Sequence, residues 1–97
     1  MSSEEDGLKD LAKVLSALGN ITRLRILKLV SETDRPLHIK ALSRALKVRY
    51  SAVYRHVVTL RKAGIVTVHE VGRSRVVAIR RKRELDDLLK IVELFAR

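Results

Sequence analysis

Apolar residues recur at intervals of three and four along most of the chain, whereas one segment beyond its middle alternates apolar and polar positions. The first spacing is typical of helices with one buried face, and alternation is typical of strands. The pattern predicts helices at about residues 2–18, 21–32, 38–46 and 84–96, a further helix that starts after residue 49 and ends before Gly64, and strands at 65–71 and 75–79 joined by a turn at 72–74.

Capping residues mark where the first two helices begin. Either Ser2 with Glu5 or Ser3 with Asp6 can form a capping box, in which two backbone N–H groups are satisfied reciprocally. Asn20 is a favourable N-cap for the second helix. That helix has a wide apolar arc, which favours a central place in the core. We expect its inward positions to be Ile21, Leu24, Leu27 and Val30, flanked by Ile26 and Leu29.

The segment that follows the third helix has two contrasting faces. It reads LKVRYSAVYRHVVTLRKAGIV over residues 46–66, and its inward stripe is Val53, Val57 and Leu60. The opposite side carries Ser51, Arg55, Val58 and Lys62, with Tyr54 on its shoulder. A short helix with a basic outer face suits a DNA major groove. The alternative is an ordinary amphipathic helix whose charged face is solvated.

The order of these elements predicts a fold. Two short helices joined by residues 47–49 form a helix-turn-helix, although the turn has no glycine, and a hairpin after such a unit makes a winged helix. We therefore expect a mainly α protein with a small antiparallel β-hairpin (α+β), in the order α-α-α-α-β-β-α, as one domain spanning residues 1–97. The last helix carries more apolar surface than a small monomer covers, which predicts a second chain there.

Charge and composition narrow the partners. The formal net charge of +10 favours a polyanion, most often nucleic acid. The longest apolar run, residues 76–79, is far too short to span a membrane, and the polar N-terminus MSSEEDG leads us to expect no signal peptide. The absence of cysteine excludes disulfides and thiolate metal sites, and it fits a cytoplasmic, nucleoid-associated protein.

Chemistry-bearing residues give little support to an enzyme or a metal protein. The chain has no glycine-rich phosphate loop, nucleophile elbow or metal-ligand cluster. His38, His56 and His69 lack ligand spacing, so we expect no metal and no cofactor, and we expect His56 to pack in the fold or to contact a phosphate.

Two segments resemble a known family. ALGNITRLRILKLV, at residues 17–30, is similar to the second-helix opening of ArsR-like winged-helix repressors, and AVYRHVVTLRKAGIV, at 52–66, is similar to their recognition helix and the entry to the wing. The resemblance covers about residues 8–80. The chain departs from the family at PLHIKAL, residues 36–42, where the cysteine metal-sensing motif would lie, and at Arg49, where a Ser N-cap is usual; Ser51 is a substitute cap.

This resemblance implies roles for individual residues. In the recognition helix, the residues that would approach DNA bases and phosphates are Arg49, Tyr50, Ser51, Tyr54 and Arg55. In the wing, Arg73 and Arg75 would enter a flanking minor groove. The dimer would form from the first and last helices, through Leu8, Leu11, Leu15, Leu88, Leu89, Val92 and Phe95. From their charge alone, further phosphate contacts are expected of Lys40, Arg44, Lys47 and Lys62.

Several of these residues have a second interpretation. Arg55 can bind guanine O6 and N7 together, or it can be a solvated or phosphate-bound arginine. Tyr54 can contact a phosphate or a thymine methyl group, or it can be a half-buried aromatic residue beside the third helix. Ser51 can bind a phosphate near the helix N-terminus or act only as a cap.

Three functions remain compatible with the sequence. The first is a homodimeric transcription regulator, expected to be a repressor, that binds double-stranded DNA at an inverted repeat. The second is an architectural protein that coats DNA with little sequence preference, because a charge of +10 binds DNA without base contacts. The third is a protein-binding module within a larger transcription complex.

Overall fold

Five helices surround a small antiparallel sheet in the computed structural model, which describes residues 3–97. The elements are α1 (Glu4–Leu18), α2 (Ile21–Ser31), β1 (Leu37–His38), α3 (Ile39–Leu46), α4 (Tyr50–Lys62), β2 (Val66–Val71), β3 (Ser74–Ile79) and α5 (Lys82–Ala96). This is the mainly α winged helix-turn-helix that the sequence predicts, and helices α3 and α4 are its helix-turn-helix.

The first two helices begin at the predicted capping residues. The Ser3 hydroxyl accepts a hydrogen bond from the Asp6 N–H at 3.1 Å, and the Ser3 N–H donates to the Asp6 carboxylate at 3.3 Å. This is the second of the two expected capping boxes; Ser2 lies outside the described residues. Asn20 caps α2 by accepting from the Arg23 N–H at 3.0 Å.

The sheet contains one strand that the sequence analysis did not predict. Residues Leu37 and His38 pair antiparallel with Val77 and Val76, so that the strand order is β1-β3-β2. The third helix accordingly starts at Ile39 rather than at His38. A strand of two residues has no detectable alternation, and it exists only because β3 supplies its hydrogen-bond partners.

The buried face of α2 differs from the expected one. Leu27 and Val30 are buried as expected. Ile26, expected only as a flanking position, is 0% exposed, whereas Ile21 and Leu24 are 66% and 39% exposed. The prediction for Ile21 and Leu24 is therefore wrong. An arc this wide contains two overlapping stripes, and the neighbouring elements, not the helix itself, select which stripe is covered.

The core lies between the helices and one face of the sheet, and it is aliphatic. Its fully buried members come from five elements: Ile26, Leu27, Ile39, Leu42, Val53, Val57, Leu60, Val66 and Val77. Helix α4 ends at Lys62, before Gly64 as predicted, and Gly64 has φ +78°. The Ile65 N–H donates to the Leu60 carbonyl at 3.0 Å and the Gly64 N–H to the Arg61 carbonyl at 2.9 Å, the two bonds of a Schellman motif. This motif turns the chain sharply into the wing.

Candidate nucleic-acid interface

Helix α4 presents a basic face to solvent because its apolar stripe is fully used by the core. Val53, Val57 and Leu60 are 0% exposed. On the opposite side, Ser51, Arg55 and Lys62 are exposed and Val58 is half-buried, while Arg49 and Tyr50 are exposed at the start of the helix. A helix fixed by three buried residues holds its outer side chains in a defined orientation, which is the requirement for reading base edges.

The turn before α4 is closed by a lysine in a left-handed conformation. Lys47 has φ 56°, the only positive φ of a non-glycine residue in the described part of the chain. The Val48 N–H donates to the Ser43 carbonyl at 3.2 Å, and the Ser43 hydroxyl donates to the Val48 carbonyl. The sequence analysis missed this role of Ser43, and no spacing in the sequence signals it.

The start of α4 has no side-chain cap among the described residues. Arg49 takes the N-cap position, and its carbonyl accepts from the N–H groups of Ala52 and Val53 at 3.1 and 3.0 Å. Ser51 lies within the first turn and is exposed, so the prediction that it substitutes as the cap is wrong. The first turn also has no acidic side chain, which leaves the positive end of the helix dipole available to an anion.

Arg75 of the wing contacts two tyrosines of α4. The Arg75 guanidinium lies over the Tyr54 ring, 4.7 Å from its centroid, and Nη1 donates to the Tyr50 hydroxyl at 3.5 Å. Tyr54 itself is half-buried and packs against the core, as its second interpretation expects. The hydrogen bond to Tyr50, followed by the charge interaction with Tyr54, raises the pKa of Arg75 above its ordinary range.

The tip of the wing is free of this contact. Gly72 and Arg73 form the two-residue turn between β2 and β3, and Gly72 has φ +62°, as the first position of a type II′ hairpin turn requires. Arg73 is exposed at the tip, and Arg75 is half-buried. The residues expected to contact phosphates elsewhere, Lys40, Arg44 and Lys47, are all exposed.

A second arginine connects α1, α2 and α4. Arg23 donates from Nε to the Ala17 carbonyl at 2.6 Å and from Nη2 to the Ser16 carbonyl at 3.3 Å, so it satisfies carbonyls at the end of α1. Its Nη1 lies 3.1 Å from His56 Nδ1 on α4. A guanidinium only donates, so Nδ1 accepts and the neutral imidazole carries its proton on Nε2.

Burial and two nearby arginines affect the pKa of His56. Burial, followed by the charges of Arg23 and Arg55, lowers the pKa of His56 from its ordinary value of 6.5. The half-buried imidazole is thus packed in the fold, one of its two expected environments, and its partner Arg23 was not predicted. Arg23 belongs to the segment that resembles ArsR-like repressors, but its sequence position alone does not identify a partner 33 residues away.

Two apolar faces of the described chain have no cover. On α1, Leu8, Leu11 and Leu15 are 56–61% exposed. On α5 the exposed apolar residues are Ile91, Val92, Leu94 and Phe95, the last at 86%. Leu88 and Leu89 differ from the rest of the expected interface because they are half-buried and pack against the chain's own core.

Other kinds of site find no support within residues 3–97. Over that range, no three His, Asp or Glu side chains are grouped so that they could hold a metal ion. Nor is any helix there long and apolar enough to cross a membrane.

Similar folds occur in known regulators. One similar structure is the solution structure of a homodimeric winged helix-turn-helix DNA-binding domain from Mycobacterium bovis, described as a possible ArsR-family transcriptional regulator. It superposes with a TM-score of 0.80 at 23% identity, and the match covers 95% of this chain and 87% of that one. HlyU from Vibrio cholerae has a TM-score of 0.74 at 24% identity, covering 96% and 99%. NolR from Sinorhizobium fredii has a TM-score of 0.76 at 22% identity, covering 98% and 95%.

Sequence comparison identifies the family. No curated protein sequence matches the chain significantly. The family described as bacterial regulatory protein, arsR family, matches residues 20–68, which include all of α2, α3 and α4 and the start of the wing. That match covers half of the chain and includes the whole helix-turn-helix. The chain is therefore a member of the arsR family of bacterial regulatory proteins, with a winged helix-turn-helix fold.

Proposed function

We propose that the protein is a homodimeric transcription regulator that binds an inverted-repeat operator and represses by occupying a promoter in chromosomal DNA. The observation that carries this proposal is the face of α4, on which the exposed side chains Ser51, Arg55 and Lys62 stand opposite a fully buried stripe. Seated in a major groove, this face meets the base edges that distinguish all four base pairs.

Arg55 is the proposed base-reading residue. It is exposed near the middle of the outer face, and its planar fork matches guanine O6 and N7, a contact that discriminates by about 1–3 kcal/mol against a wrong base. Tyr50 and Ser51, in the first turn, would contact bases or phosphates beside it. Lys62, near the other end of the helix, would neutralise a phosphate, as would Lys40, Arg44 and Lys47.

The dimer is supported by exposed area as well as by the two apolar faces. The folded chain exposes 7400 Å², whereas a compact monomer of 11.0 kDa exposes about 5,600 Å². Pairing of α1 and α5 with their copies through a two-fold axis would cover Leu11, Val92 and Phe95 and their neighbours. The homodimeric state of the similar Mycobacterium bovis domain supports a homodimer here as well. Two recognition helices would then enter successive major grooves, about 34–36 Å apart.

Selection from random duplex DNA, followed by titration of the enriched sequences across salt concentration, tests this function. We expect an inverted repeat that binds more than about 10³-fold more tightly than scrambled DNA. In the Arg55→Met variant, preference should relax at one position in each half-site. The matched variant Lys62→Met should instead weaken binding to all sequences and lower the slope of log affinity against log salt by about 0.9.

The competing function is a DNA coat with little sequence preference, which the charge of +10 supports. It predicts no enriched sequence and strong binding that falls steeply as salt rises. That result, or a protein that stays monomeric at concentrations where it binds DNA, would contradict the regulator. Negligible affinity for any DNA at physiological salt would favour a protein-binding module.

A further inference from the structure

A basic cleft lies where the wing approaches the helix-turn-helix. Its volume is about 160 Å³, and its lining residues are His38, Lys40, Tyr50, Arg73, Ser74 and Arg75. These come from the end of β1, the first turn of α3, the start of α4 and the wing. At about 30 Å³ per water molecule, the cleft has room for about five waters, which is enough for the five heavy atoms of a phosphate group.

The charge of the cleft is uniformly positive. Three of its six lining side chains are cationic, and none is acidic. Tyr50 and Ser74 add hydroxyl groups that can donate to an oxyanion. The nearest competing carboxylate on the adjacent strand is Glu70, which is paired with Arg75 across β2 and β3 but is exposed and does not line the cleft.

Arg75 differs from an ordinary surface arginine because two tyrosines hold it. The contact with the Tyr54 ring restricts the guanidinium, and the bond to Tyr50 uses only one of its five N–H donors. The remaining donors stay available, and less conformational freedom is lost when an anion binds a side chain that is already held. The same tether keeps Arg75 beside α4, whereas Arg73, which also lines the cleft, lies in the turn at the tip of the wing.

We propose that this cleft binds one phosphoryl oxyanion, with Lys40 and Arg75 as the charged ligands and Tyr54 as the residue that positions Arg75. The identity of the oxyanion rests on the proposed function: it is a phosphodiester of the operator backbone. Arg75 then anchors the wing to this phosphate instead of entering the minor groove. Free inorganic phosphate has the same chemistry, and the two sources are separated by experiment.

The first experiment titrates the DNA-free protein with inorganic phosphate at constant ionic strength and follows two-dimensional NMR spectra. We expect saturable shifts centred on Lys40, Tyr50, Ser74 and Arg75. Tyr54→Leu should weaken this binding without removing any charge, and it should abolish the upfield ring-current shifts of the Arg75 side-chain protons. Arg25→Met removes an exposed charge on α2 that does not line the cleft, and it should leave the titration unchanged. Shifts spread evenly over exposed Lys and Arg residues, or a Tyr54→Leu variant that binds phosphate as well as the wild type, would overturn the proposal.

The second experiment uses the selected operator with a neutral methylphosphonate at each backbone position in turn. One position per half-site should weaken binding of the wild type more than binding of Lys40→Met, because that variant has already lost one of the two charged ligands of the phosphate. Lys40→Met should also lower the salt slope by about 0.9. If every position affects wild type and Lys40→Met equally, the cleft does not hold a backbone phosphate.

Different results would contradict the cleft proposal and the proposed regulator function. If an inverted repeat is selected but neither experiment identifies the cleft, the regulator stands and the cleft proposal is wrong. If no sequence is selected but inorganic phosphate binds the cleft and depends on Tyr54, the oxyanion site stands with free phosphate as its ligand.

Discussion

The bond network of Arg23 offers a direct test of how the helices are held together. Arg23→Met keeps an unbranched apolar stem but removes the donors to Ala17, Ser16 and His56. A hydrogen bond from a charged donor contributes about 1.5–3 kcal/mol when buried. Because Arg23 is half-buried and one of its bonds is long, we expect the free energy of unfolding to fall by about 2–3 kcal/mol.

Urea unfolding followed by circular dichroism measures this change. The protomer concentration must be the same for every variant, because a dimer's stability depends on it. At about 4–8 °C per kcal/mol, the midpoint of thermal unfolding should fall by roughly 10–20 °C. Arg25→Met is the matched control: Arg25 is exposed on the same helix, so its loss should change stability by less than about 0.5 kcal/mol.

The same variant should change the pH dependence of stability. Because the pKa of His56 is lowered in the folded state, mainly by burial, the unfolded chain binds more protons as the pH falls through about 6.5. The free energy of unfolding therefore decreases below that pH, and its contribution from His56 is complete above it. Arg23→Met removes one cause of the lowered pKa, so the decrease between pH 7.5 and 5.5 should become shallower but not vanish.

His56→Gln, which cannot titrate, should lack this contribution altogether. If Arg23→Met is no less stable than Arg25→Met, the network does not hold the helices together. If Arg23→Met is less stable than Arg25→Met but its stability keeps the wild-type pH dependence, the charge of Arg23 does not affect the pKa of His56.

Three further predictions concern the dimer and two backbone conformations. Leu11→Glu should convert a dimer into a folded monomer, as measured by light scattering. Lys13→Gln makes the same change of net charge and should leave the dimer intact. A Leu11→Glu protein that remains dimeric would exclude α1 from the interface. Lys47→Gly should raise the free energy of unfolding by about 0.5–1 kcal/mol, because φ 56° strains a lysine but not a glycine, and unchanged or lower stability in urea would contradict this reasoning. Gly64→Ala should cost about 1–2 kcal/mol because of its φ of +78°, although a Cβ there has space, 3.8 Å from Arg80 Nη1. Gly7→Ala, within α1 and open to solvent, should instead stabilise by about 0.5–1 kcal/mol, and equal effects at both glycines would refute the conformational argument.

Local signals in the sequence account for most of the fold. The capping box at Ser3, the cap at Asn20 and the stop at Gly64 act over a few residues, and each is where the sequence predicts it. The buried stripe of α4 follows from spacing alone, since every third or fourth residue shares a face. Together with the two family-like segments, these signals predicted the winged helix and the basic outer face of α4.

Features that depend on distant partners were not predictable. The two residues of β1 are a strand only because β3 lies beside them, and the exposure of Ile21 and Leu24 depends on which neighbours cover α2. Pairing between residues far apart in sequence leaves no periodic trace in either segment.

The wing shows the same division. The basic charge of the hairpin and its tight turn could be predicted from the sequence, because charge and turn chemistry are local. The contact of Arg75 with Tyr54, 21 positions earlier in the sequence, depends on tertiary packing, as does the position of Arg73 at the tip. Local chemistry specifies what each element can present, but the packing of elements against one another decides which side chains remain available to DNA.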